Sequence, residues 1–179
     1  DVAAASLQGL VASYSQLGEY EVALEEQEKF LFSLANDDSE EGSNSLALGS
    51  LYFNQKEYEK AMEQFMRFLQ ANPDSPEGAP AMMNLGDCYY RLQYYENAVE
   101  TWVDMLGKFP DSQQAEEATY RLADTRFGLG DYAGAVQAYQ RLEKNFPAGV
   151  FIADASFGIA NCFYNTQQDD QAIAAFQAF

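Results

Sequence analysis

"FGLGDYAGAVQAY" (Phe127 to Tyr139) is the third writing of one pattern, after "FNQKEYEKAMEQF" (Phe53 to Phe65) and "YRLQYYENAVETW" (Tyr90 to Trp102). In each stretch a Tyr is followed three residues later by an Ala, and four residues after that by a large aromatic. The alanines Ala61, Ala98, Ala135 and Ala172 stand 37 residues apart, and Ala23 precedes them by 38. Asn72-Pro73, Phe109-Pro110 and Phe146-Pro147 keep the same 37-residue step. Tyr20, Tyr58, Tyr95 and Tyr132 precede the Ala, with Asp169 in that place in the last copy. Phe65, Trp102, Tyr139 and Phe176 follow it, with Gln27 in the first. Twelve residues before the Ala come Gly49, Gly86, Ala123 and Ala160, Val11 being the exception. Self-similarity at this period is the mark of a stacked array.

Each unit reads as two helices. In the third full copy, Ala118, Leu122, Ala123, Phe127 and Leu129 recur at helical spacing between Gln113 and Leu129. Gly130-Asp131 makes the turn, and a second helix is expected from Tyr132 to Asn145, stopped by Pro147. Asp74-Ser75 and Asp111-Ser112, just past a proline, are expected to cap the helices that follow. No segment alternates apolar and polar residues over strand lengths, so the fold class is all-α. Small residues at fixed places let helix axes approach; Gly86 and Ala98 are expected to face each other, with Trp102 and Tyr89 filling space toward the next unit. One hairpin cannot bury its apolar face alone, so the units must stack.

Composition narrows the chemistry. The 179 residues carry a formal charge of −18, with 10 Lys and Arg against 28 Asp and Glu. No basic stripe can neutralise phosphates, which argues against nucleic acid, and an anionic membrane surface repels such a chain. Apolar runs are too short to span a bilayer. Histidine is absent, which removes His-based zinc ligation and the Ser–His–Asp and Cys–His nucleophile systems. Gly9, Gly18 and Gly42 are isolated, and "FGLGDY" lacks the setting of a phosphate cradle. The neighbours in Glu116–Glu117 and Asp169–Asp170 point apart on a helix and read as surface. Catalysis has no foothold in this stretch, and neither a cofactor nor a metal is expected.

"NLGDCYYRLQYYENAVETWVDMLGKFP" resembles a tetratricopeptide repeat, whose Leu-Gly, Tyr, Ala, aromatic and Pro places are taken by Leu85-Gly86, Tyr89, Ala98, Trp102 and Pro110. Leu48-Gly49, Tyr52, Ala61, Phe65 and Pro73 take them in the copy before; the third full copy departs, with Ala123 for Gly and Arg126 for Tyr. The resemblance implies a right-handed superhelical solenoid of helix-turn-helix repeats. Its units are read as approximately 1–36, 43–75, 76–111, 112–148 and an incomplete 149–179, within a longer protein. The 37-residue form, with "FPDSQQAEEATYRLAD" between helices, is similar to bacterial cell-envelope members of the outer-membrane assembly lipoprotein and Tol-Pal-associated periplasmic type. That likeness implies a periplasmic or cell-envelope setting, with the cytoplasm as the alternative.

In this family the first helix of each pair lines the concave face, and the resemblance implies that protein or peptide ligands lie there. In register, four residues past each Gly or Ala, stand Phe53, Tyr90, Phe127 and Tyr164; near them fall Leu46, Met83, Tyr120 and Phe157, then Ser50, Asp87, Asp124 and Asn161. The expected surface is a ladder of aromatics with carboxylates and amides between rungs. It suits a segment with apolar anchors and a basic residue. The alternative is that these rings are core. Family members that clamp a peptide carboxylate use cations here, but Leu46 and Glu117 stand where lysines should be, and Ser50 replaces an Asn. Only Asn84 and Arg121 match, so that role is rejected. Cys88 and Cys162 share a register two units apart, too far for a disulfide, and are expected to be free buried thiols. "NDDSEEGSN" (Asn36 to Asn44) reads as an exposed acidic connector. A rival reading is self-association through exposed ends that include Ala174, Phe176 and Phe179; another is an accessory domain of a multidomain protein.

Overall fold

The computed structural model describes residues 22, 25–26, 28–30 and 41–178, with the main chain alone for 41–44. The bounded helices are α1 (Glu41–Asn54), α2 (Tyr58–Ala71), α3 (Gly78–Arg91), α4 (Tyr95–Lys108), α5 (Ala115–Gly128), α6 (Tyr132–Asn145), α7 (Ile152–Asn165) and α8 (Asp169–Ala178). Among the described residues there is no strand, and no helix is long and apolar enough to cross a membrane. The fold is all-α, built from helical hairpins. The chain divides into two compact units, Asp1–Ala81 and Met82–Phe179, at a point inside α3.

In the first unit α1 packs on α2. Ala61, Gln64, Phe65 and Phe68 form the buried stripe of α2, at the i, i+3, i+4, i+7 spacing of one helix face. Phe65 is fully buried over Gly49, where a Cβ would stand 2.8 Å from its ring. In the second unit α4 packs on α5, α5 on α6, α6 on α7, α7 on α8, and α5 also meets α7. The corresponding stripe of α4 is Ala98, Trp102, Met105 and Leu106.

Gly86 makes room for the indole of Trp102, since a Cβ there would lie 2.3 Å from its Nε1. Trp102 is fully buried and also shares a hollow with Tyr120, Arg121 and Asp124 of α5, toward the next repeat as expected. In the third full copy the glycine place holds Ala123, also fully buried. The ring of Tyr139 there lies against Gly158 of α7, whose Cβ would come within 2.5 Å of it.

The turn inside each hairpin has one design. Lys56, Gln93, Gly130 and Gln167 take positive φ, at 64, 65, 80 and 58°. The next amide in each bonds back to the helix: Glu57 to the Tyr52 carbonyl, Tyr94 to Tyr89, Asp131 to Arg126 and Gln168 to Phe163, all at 2.9 Å. This is the Schellman ending, which satisfies the orphan carbonyls of a helix C-terminus. Among the described copies, only the one with Gly130 uses glycine for it. Asp131 then caps α6, its carboxylate accepting from the Gly134 amide at 3.0 Å. The Ser75 hydroxyl accepts from the Glu77 amide at 3.3 Å, a capping bond in the turn that leads into α3 at Gly78. The expected cap at Ser112 does not form: α5 begins at Ala115, no side chain caps it, and among the described residues the Ser112 hydroxyl has no partner. Part of the expected connector is helical as well, since Glu41–Asn44 is the first turn of α1.

Residues 36–40, most of the first repeat with Val11, Tyr20, Ala23 and Gln27, and Phe179 lie outside the described residues. Cys88 and Cys162 are free and buried. Burial pushes their thiols up, to about 12 and about 11, which leaves them protonated and inert as nucleophiles.

Candidate partner-binding face

The first helices end in aromatics, and the second helices begin with the residue that holds them. Phe53 meets Tyr58 edge-to-face at 5.6 Å, Tyr90 meets Tyr95 at 5.3 Å, and Phe127 meets Tyr132 at 5.4 Å, with interplanar angles of 67–69°. Tyr58, Tyr95 and Tyr132 are each the first residue of a helix, so the Schellman turn sets both rings. Edge-to-face pairs at this distance suit the aromatic quadrupole. Tyr90 also leans on Trp102 at 6.3 Å. The three rungs are half-buried, and Tyr164 is 66% exposed.

The other residues of the expected face differ in placement. Met83 is buried at 5% exposure and belongs to the packing of α3. Tyr120 is half-buried and stacks on Phe151 at 4.5 Å with planes 6° apart. Asp124 is exposed. Phe157 is 49% exposed and meets Phe176 at 5.9 Å. The Asn161 amide donates to the Phe157 carbonyl at 3.0 Å.

Within the second unit some of these residues converge. A hollow of about 190 Å³ lies among Tyr90, Trp102, Tyr120, Arg121, Asp124 and Phe151. A second, of about 430 Å³, shares Tyr90, Asp124 and Thr125 with it and continues to Tyr95, Phe127 and Leu129. Both are lined by aromatic and polar groups together, the usual make-up of a recognition site. The expected residues Tyr90, Tyr120, Asp124 and Phe127 are thereby brought together. Phe157, Asn161 and Tyr164 line neither hollow.

Charge in this region is arranged around one cation. Arg121 gives two hydrogen bonds to Glu117 Oε1, at 3.1 and 2.7 Å, and its Nη1 faces Asp87 Oδ1 at 3.4 Å. Burial pushes the Asp87 carboxyl up to about 6, against the pull of Arg121, with Glu117 adding to the rise. Asp124 is also raised, by burial first and then by Asp154, with Arg121 opposing.

Thr125, Phe151, Tyr95, Glu117 and Leu129 were not among the expected residues. Thr125 had a signal, because it holds the register of Cys88 and Cys162 and is the polar one of the three. Its hydroxyl is buried and has no partner among the described residues. Phe151 had none, since it precedes α7 in a connector where periodicity does not operate.

In the first unit a smaller polar arrangement surrounds Tyr52. Its hydroxyl donates to Glu28 at 2.7 Å, and Lys60 Nζ stands 5.1 Å above the ring.

Fold and site together define a helical-hairpin repeat scaffold whose first helices carry half-buried rings. The tetratricopeptide repeat model matches residues 46–113 and 117–179. The chain belongs to the tetratricopeptide repeat family; its general role is that of a protein-interaction scaffold, and it is not an enzyme. Among solved structures it is similar to MamA of AMB-1, with TM-score 0.73 at 19% identity over 99% of this chain and 90% of that one. MamA of MSR-1 gives TM-score 0.70 at 19% identity, over 99% and 94%. A kinesin light chain-type protein of Podosopora anserina, with nearly identical TPR-like repeats, gives 0.70 at 16% identity, over 97% and 91%. At these identities the likeness concerns the fold. Among curated proteins none matches the chain.

Proposed function

We propose that this chain holds a segment of a partner protein on the first helices of its second unit, at Tyr90, Tyr120, Asp124, Phe127, Phe157, Asn161 and Tyr164, and that Phe53 is an anchor of the same kind within the first unit taken by itself. The observation that carries the reading is the pair of adjoining hollows that share Tyr90, Asp124 and Thr125. Rings already fixed by their neighbours lose little conformational freedom on binding, and large aromatics are frequent interface anchors. Net charge of −18 favours a partner segment with basic residues among its apolar anchors. The scaffold is assigned to the cell envelope or periplasm through its long-repeat form, with the cytoplasm as the other compartment; fractionating cells that express the full-length protein decides between them.

The test is capture of a partner by the wild-type chain and by a Tyr90→Ala/Phe127→Ala variant whose helical circular dichroism is retained. The reading expects the variant to lose binding by about tenfold or more, in line with the loss of two interface anchors. Equal capture by a folded variant rejects the face.

A second reading, self-association through the last hairpin, has its own support in Ile173 at 56% and Phe176 at 39% exposure. Ala174 is exposed beside them. Sedimentation over a range of concentrations, with wild type and Ile173→Asp, separates it from partner binding.

A further inference from the structure

Tyr120 and Phe151 are stacked on each other, 4.5 Å between centroids and 6° from parallel, so that each ring is backed by the other. Two carboxylates act on the pair: Asp124 of α5 and Asp154 in the first turn of α7 both raise the Tyr120 phenol. Among the described residues neither has an ion-pair or hydrogen-bond partner. The nearest cation, Arg121, is committed to Glu117 and Asp87. Beside the stacked pair, Thr125 is 4% exposed and borders both hollows, and among the described residues its buried hydroxyl has no partner. An unpaired buried hydroxyl has a cost that a ligand group can remove.

Four carboxylates surround this place, Asp87 from α3, Glu117 and Asp124 from α5 and Asp154 from α7, against Arg121, with Arg91 acting on Asp87 from its own helix. An incoming phosphate or peptide carboxylate meets net negative charge. A cation meets attraction, and one with a planar fork of donors can lie on a ring while bonding a carboxylate and a hydroxyl together. Resting on the partner-binding reading above, we propose that this hollow receives an arginine side chain of the bound segment, its guanidinium against the stacked Tyr120–Phe151 pair, paired with Asp124 and bonded to the Thr125 hydroxyl. The Asp124 and Asp87 carboxyls, raised first by burial with Arg121 opposing, fit this arrangement, since a second cation would favour their charged forms.

The experiment is an amide NMR titration of the chain, at neutral pH and low salt, with acetyl-Ala-Phe-Arg-Phe-Ala-amide, and with peptides carrying citrulline or lysine in place of arginine. Citrulline keeps the shape and removes the charge. The expected result is a saturable shift at Tyr120, Asp124 and Thr125, with the arginine peptide binding about tenfold more tightly than the citrulline one. Lysine should fall between them. Asp124→Asn, at an exposed position that the fold tolerates, should shrink the arginine advantage to about threefold or less. Equal affinity for arginine and citrulline at these amides overturns the arginine pocket and leaves the partner-binding face standing. Shifts confined to other parts of the chain, or none with the arginine peptide, also overturn it, whatever partner capture shows.

Discussion

Tyr90 and Tyr164 hold one register two repeats apart, yet Tyr90 is half-buried and Tyr164 is 66% exposed. The turns beside them are alike, with Gln93 and Gln167 both left-handed at φ 65 and 58°. What differs is the residue that opens the next helix. Tyr95 packs on Tyr90 at 5.3 Å, whereas Asp169 offers no ring to Tyr164. The floor differs too: Trp102 under Tyr90 is fully buried, while its counterpart Phe176 is 39% exposed. An aromatic on a first helix becomes a fixed rung only when the second helix supplies a ring against it. Thus a repeat signature that locates the rungs does not say how firmly they are held.

The largest effect expected is at the floor. Trp102→Ala should destabilise the fold by about 3–5 kcal/mol through the cavity left in a closed site. Phe176→Ala should cost about 1 kcal/mol or less, since much of that ring is already in water. Gly86→Ala, which drives a methyl into the indole, should cost about 1–3 kcal/mol. Chemical denaturation of the three variants ranks them, and a Phe176→Ala loss as large as that of Trp102→Ala breaks the comparison.

Next comes the lock itself. Tyr95→Asp should make Tyr90 resemble Tyr164, with about 1 kcal/mol of stability lost with the ring pair. Asp169→Tyr should move the Tyr164 ring resonances upfield as a ring arrives edge-on. Unchanged Tyr164 resonances in a folded variant contradict the lock.

Asp87 sharpens the comparison by charge. Its folded carboxyl is raised to about 6 by burial, above its value in the unfolded chain, so the native state holds the extra proton between the two values. Stability contributed by this group is therefore present in mild acid and is lost as pH rises through about 6. Asp87→Asn should raise the melting temperature at neutral pH and flatten that slope. Asn161, in the same register of the last repeat, has no carboxylate to titrate, and Asn161→Ala should leave the slope alone.

The smallest effect is common to both regions. Gln93→Gly and Gln167→Gly relieve the left-handed backbone and should each stabilise by about 0.5–1 kcal/mol. Thermal melts that rise by similar small steps show the turns to be equivalent, leaving the rings to account for the difference.

The architecture was legible because the constraint that makes hairpins stack also writes the period. Small residues at Gly49 and Gly86, aromatics at Phe65 and Trp102 and prolines past the second helix are demands of packing, repeated because the packing repeats. The predicted helix Tyr132 to Asn145 coincides with α6, and the predicted Gln113 to Leu129 runs a little past both ends of α5. Three of the four turns gave no signal, since Lys56, Gln93 and Gln167 adopt a conformation usually marked by glycine. The capping expectation held in kind at Ser75, whose hydroxyl accepts from the Glu77 amide, and failed at Ser112, because local chemistry does not reveal connector geometry. The tyrosines that lock the rungs stood in the quoted stretch, but a one-dimensional pattern does not say that residues five apart across a turn touch. Thr125 and Phe151 became visible only in three dimensions, one as an unpaired hydroxyl and the other as a ring from a connector.

The most direct measurement is a pair of double-mutant cycles in denaturant, one on Tyr90 and Tyr95 and one on Tyr164 and Asp169, each residue changed to Ala singly and together. Ring pairing predicts a coupling of about 0.5–1.5 kcal/mol for the first pair and about zero for the second. Additive losses at Tyr90 and Tyr95, or equal couplings in both cycles, contradict the account.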